Sequence, residues 1–141
     1  MKKIGMLLLL LALLGGCSVQ IDTSTSKTDE FTSSVDGLSE TLLLAKKKFM
    51  PFEGKQSFTK EEQAQIMETV EIVTNEMAEF KKEEAPLLGK MVKKVVMKQL
   101  IQKEKILLDI KEKAETGTIT DKDISTLIST VSDDYEIKLF K

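Results

Sequence analysis

Histidine, tryptophan and arginine are absent from the 141-residue chain, and cysteine occurs once, as Cys17. Each gap excludes something. Without histidine the commonest neutral-pH base is missing, so no serine can be activated in the Ser-His-Asp manner. Without arginine there is no planar fork for phosphate, and every cation is a lysine. One cysteine cannot close an internal disulfide. With no histidine and no second thiol, a zinc site is not expected. Glycine totals seven, mostly isolated, so no glycine-rich phosphate turn can form, and Asp121 and Asp123 lack the glycine and glutamate of a calcium loop. No metal and no other cofactor is therefore expected. Acidic residues number 23 against 21 basic ones, a net charge of −2. Nucleic-acid binders show a clear basic excess instead, so nucleic acid is not expected as a partner.

What is present begins with an uneven leader. Lys2 and Lys3 precede an apolar run from Ile4 to Leu14, broken only by Gly5. The order basic, apolar, small is that of a secretory signal. The run is too short for a permanent membrane span, which takes ~20 residues. Ser18 to Thr28 is polar, rich in serine and threonine, and without helical period, as in a flexible tether. Without the leader lysines the remaining body carries 19 lysines against 23 acids, about −4. The expected organisation is a signal peptide over 1–16, Cys17 and the tether over 17–28, and one domain over 29–141.

From Asp29 onward the pattern is helical. Phe31, Val35, Leu38, Leu42, Ala45 and Phe49 recur at spacings of four and three, one stripe of a helix. Pro51 stops that helix near Met50, and 51–57 reads as a loop. Thr59 and Glu62 form a capping box for a second helix with the stripe Ile66, Val70, Val73, Met77 and Phe80. Glu83-Glu84-Ala85-Pro86 ends it, and Pro86 suits the first position of a third helix. That helix, over about 87–116, carries apolar residues on more than one face: Leu88, Met91, Val92, Val95, Val96, Leu100, Ile101, Leu107, Leu108 and Ile110. Such width predicts a central helix packed on two sides. Gly117 closes it as a left-handed cap. Thr120 caps a fourth helix with the staple Ile119 and Ile124, and the stripe Ile124, Leu127, Ile128 and Val131. The tail from Tyr135 fits a helix better than a lone strand. The expected fold is all-α, a small antiparallel bundle of three to four helices.

Charge divides between the helices. Residues 60–84 hold eight glutamates, and 90–115 hold eight lysines. An acidic helix beside a basic one reads first as complementary flanking charge. The functional reading is a basic face of Lys90, Lys93, Lys94 and Lys98 that meets an anionic surface. Met67, Met77, Met91 and Met97 fill core or line an adaptable groove. Ser24-Thr25-Ser26-Lys27 and Ser57-Phe58-Thr59-Lys60 match the S-x-x-K pattern of penicillin-recognising enzymes. No S-D-N or K-T-G element follows, and both are read as chance.

The sharpest motif is Leu14-Gly15-Gly16-Cys17, which resembles the lipobox of bacterial lipoproteins. The resemblance implies a diacylglycerol, palmitate-bearing lipid on Cys17, signal cleavage between Gly16 and Cys17, and residence on the outer face of the cell membrane. The body resembles small helical lipoproteins of Bacillus-type bacteria through Met77 to Pro86 and Glu115 to Asp121. That group has no assigned activity. A lysine-only basic set with a lipobox suggests a low-GC Gram-positive source. The expected function is a non-enzymatic binding module at the cell envelope, anchored by Cys17, with an unidentified protein or envelope component as partner. The rival expectation is an immunity or surface-exclusion lipoprotein that protects against a membrane-active peptide, phage or conjugation.

Overall fold

The computed structural model describes residues 28–86 and 89–132. Four helices account for most of them. Helix α1 covers residues 28–49 and runs into a 3-10 turn at Met50–Phe52. Helix α2 is Lys60–Lys82, α3 is Gly89–Glu115 and α4 is Asp121–Ser132. No strand occurs among the described residues, and the protein is a small all-α helical bundle as its periodicity predicts.

The helices alternate in direction. The Phe31 ring lies 6.0 Å from that of Phe80, so the start of α1 sits beside the end of α2. Lys111 reaches Glu71 at 3.7 Å, and Lys81 pairs with Glu104, which sets α2 antiparallel to α3. Lys113 meets Asp123 at 2.9 Å while Lys103 meets Thr130, so α4 runs back along α3. The amide of Gly54 donates to Asp121 Oδ1 at 2.7 Å. That bond ties the α1–α2 loop to the first turn of α4.

The stripes become the core. Phe31, Leu38, Leu42, Ala45 and Phe49 of α1 are buried, with Val35 packed against them. Ile66, Val70, Val73, Met77 and Phe80 of α2 are fully enclosed or nearly so. Helix α3 contributes Val92, Val96, Leu100, Leu107, Ile110 and Ala114, and α4 contributes Ile124, Leu127 and Val131. Burying each large apolar side chain stabilises by roughly 1.5–3 kcal/mol before conformational entropy is counted. One core spans all four helices.

The helix ends follow local chemistry. Thr59 accepts from the Glu62 amide at 3.2 Å, and Glu62 accepts from the Thr59 amide at 3.0 Å, a complete capping box. Helix α3 ends in a Schellman motif. Thr118 N donates to Lys113 O at 2.8 Å, Gly117 N to Ala114 O at 3.3 Å, and Gly117 takes φ +70°. Thr120 caps α4, with Asp123 returning to its backbone amide at 2.8 Å. Ile119 and Ile124 are both buried, as the staple requires.

Three expectations need correction. Thr28, expected at the end of the tether, is already helical. The loop expected at 51–57 begins later, because the 3-10 turn carries Phe52 into the core, where its ring meets Phe58 edge-on at 6.4 Å. Pro86 is not the first residue of α3. Glu83 is extended and Ala85 packs on the core, so the chain crosses between helices in an open link that includes Pro86. Helix α3 does pack on both α2 and α4, yet Met91, Val95, Ile101 and Leu108 remain exposed. Its wide apolar surface is only partly covered. Leu88 and the segment from Tyr135 lie outside the described residues, as do the leader and Cys17.

Candidate functional site

Helix α3 carries the basic residues singled out above, and the bundle separates them. Lys93 is half-buried and turns back across the link. Its ammonium donates to the Lys81 carbonyl at 3.2 Å and also to the Glu83 carbonyl. The last carbonyls of a helix have no partner within it, and a cation there also meets the negative end of the dipole. Lys93 therefore closes α2 and leaves the basic face. Lys90, Lys94 and Lys98 stay exposed on α3. None of the three makes an ion pair among the described residues. Lys105 continues their row.

The four sequence-expected methionines do not share a groove. Met77 is buried, Met67 and Met97 are half-buried, and Met91 stands out into solvent at 80% exposure. Only Met91 contributes to an open surface.

Complementary charge between α2 and α3 is present in two pairs. Glu71 with Lys111 has the expected sense, acid on α2 and base on α3. Lys81 with Glu104 reverses it. Glu71 with Lys111, open to solvent, is worth ~0–1 kcal/mol.

Two depressions lie among the described residues. One, of about 560 Å³, lies where α1 begins and α2 ends, lined by Asp29, Glu30, Glu76, Glu79 and Glu83. Among the described residues no group of acids, histidines or cysteines is arranged to hold a metal ion. The second, of about 730 Å³, runs between α3 and α4 past Lys105, Asp109, Lys113, Lys122 and Asp123. Here Lys113 sits between two carboxylates, Asp123 at 2.9 Å and Asp109 at 3.3 Å. Its ammonium is held above the ordinary lysine value, chiefly by the hydrogen bond to Asp123 and then by that to Asp109. Burial pushes the Asp123 carboxyl up, but Lys113 and the Thr120 hydroxyl and amide outweigh it and hold it below its ordinary value. The Thr120 hydroxyl donates to Asp123 at 2.7 Å. These groups lock the α3–α4 turn.

Sequence reasoning passed over Lys103. Its side chain is buried and donates to the Thr130 carbonyl at 2.7 Å, in the last turn of α4. The signal was its place in the row Val96, Leu100, Lys103, Leu107, Ile110, a core row in which one member is charged. No helix among the described residues is long and apolar enough to cross a membrane. No family model, no curated protein and no solved structure matches the chain.

Proposed function

We propose that the protein is an exported lipoprotein, held on the outer face of the cell membrane by a lipid on Cys17, with the bundle as a non-enzymatic interaction module. The observation that carries this reading is the run from Lys2 to Cys17: two lysines, an apolar stretch, then Leu14-Gly15-Gly16-Cys17. A thiol placed directly after two small residues, at the end of such a stretch, is what thioether lipidation and signal cleavage at Gly16–Cys17 require. A diacylglyceryl group brings two chains, and two are what stable anchoring needs. The character of the bundle supports the division of labour. The stripes of α1, α2 and α4 are used for folding, and α2 and α4 begin in polar caps. Membrane residence then rests on the leader and Cys17.

The test is metabolic labelling in a host that processes bacterial lipoproteins. The wild-type chain incorporates labelled palmitate, and its mature form begins at Cys17. The Cys17→Ala variant takes no label and accumulates as the precursor. Label and normal cleavage in Cys17→Ala, or an unlabelled wild type, would refute the anchor.

A further inference from the structure

We propose that the outward face of α3 lies on an anionic lipid surface. The proposal rests on the anchored reading above, which supplies the membrane, and gives the bundle an orientation on it. Lys90, Lys94, Lys98, Ile101, Lys105 and Leu108 follow one another at spacings of four, four, three, four and three, so they share one face of the helix. Met91 and Val95 flank the row. From end to end the row is about 27 Å long at 1.5 Å per residue.

Three observations choose the occupant. First, the four lysines make no ion pair among the described residues. The only acid between Gly89 and Leu108 is Glu104, and it is turned to Lys81. Second, Met91, Val95, Ile101 and Leu108 are 80, 59, 57 and 49% exposed. They are interleaved with the lysines and do not join into the continuous apolar seam that a partner helix packs against. A mixture of apolar tips and long lysine stems suits the boundary between head groups and acyl chains, where the stems lie along the apolar layer and the ammonium groups reach phosphate. Third, α1 begins at the same end of the bundle. Asp29 and Glu30 line one depression with Glu83, whose carbonyl accepts from Lys93 in the first turns of α3. Cys17 is eleven residues before Thr28, a reach of at most ~40 Å. At this end of the bundle Asp29, Glu30, Glu76, Glu79 and Glu83 gather on the α1–α2 side, and the row of exposed lysines is on α3. An anionic surface therefore selects α3 as the underside.

The chain has no tryptophan, so Met91→Trp in the full-length protein introduces a single indole reporter on this face. Vesicles of phosphatidylglycerol should shift its emission to the blue, and vesicles of phosphatidylcholine should not, even where the leader brings the chain to both. Each lysine near an anionic surface strengthens partitioning roughly fivefold. Changing Lys90, Lys94, Lys98 and Lys105 to Gln in the same background should weaken the shift more than a hundredfold in lipid concentration, with helical circular dichroism unchanged. No shift on phosphatidylglycerol, or equal shifts on both lipids, would overturn the proposal. So would a shift without vesicles that grows with protein concentration, which would assign the face to a second copy of the chain. Loss of labelling at Cys17 leaves this vesicle result untouched, so the two readings fail separately.

Discussion

Asp123 shows how much one side chain does here. It accepts from the Thr120 amide and hydroxyl at the start of α4, and from Lys113 near the end of α3. One carboxylate thus caps a helix and clamps the turn before it. Because its folded pKa is depressed from 3.8, its contribution is present above that value and is lost as the pH falls through the folded one. Glu62 behaves in the same sense. Its hydrogen bonds to Lys55 and to the Thr59 amide hold it below 4.5. Lys113 is raised above 10.5, so its share is complete below that pH and declines only in stronger alkali. Stability should therefore be flat near neutrality and fall in acid below about pH 4. Urea midpoints measured from pH 7 down to pH 2 check this. The double variant Asp123→Asn, Glu62→Gln should start lower and fall less steeply in acid. An acid slope equal to that of the wild type would show that other carboxylates carry it.

At the scale of the element, the helix ends are where stability is concentrated in single residues. Thr59→Ala removes half of the capping box and should cost about 1 kcal/mol. Gly117→Ala forces a side chain into φ +70°, at a cost of about 1–2 kcal/mol. Denaturant unfolding should show both losses with m unchanged; a neutral Gly117→Ala would mean that the turn rearranges. These ends and the stripes between them were legible in the chain because they depend on neighbours within five residues. What escaped depends on distant contacts. The row that contains Lys103 is visible, but the carbonyl it reaches belongs to α4, twenty-seven residues on. The four-three pattern counts apolar positions on α3 without revealing which of them a neighbour covers, so Met91 and Val95 were counted with Val92 and Val96. Lys93 looks like its neighbours in sequence, and only the path of the link turns it toward α2. Pro86 satisfies the rule for a first helical residue, yet it lies in the link, next to Ala85 packed on the core. The candidate basic face was therefore readable as a set of lysines and not as a surface.

For the whole molecule, the absence of an internal disulfide leaves one shared core to hold the fold. A Cβ at Gly37 on α1 would stand 3.3 Å from a carboxylate oxygen of Glu76 on α2, so the two helices face each other there. Phe52 brings the first loop under α4, and Gly54 bonds Asp121. Each helix owes its burial to at least one other, so none has a core of its own. Unfolding should consequently be a single transition, with helical circular dichroism and hydrodynamic size changing together in urea. Leu100 is fully enclosed on the helix that touches both α2 and α4. Leu100→Ala should remove about 2–5 kcal/mol. A domain of this size has about 5–15 kcal/mol in total, so the loss is a large fraction of it. The midpoint should fall with m unchanged, because all four helices lose their common support at once. A variant in which circular dichroism and size separate, with part of the helix signal surviving the expansion, would show that the bundle contains a sub-core that Leu100 does not serve.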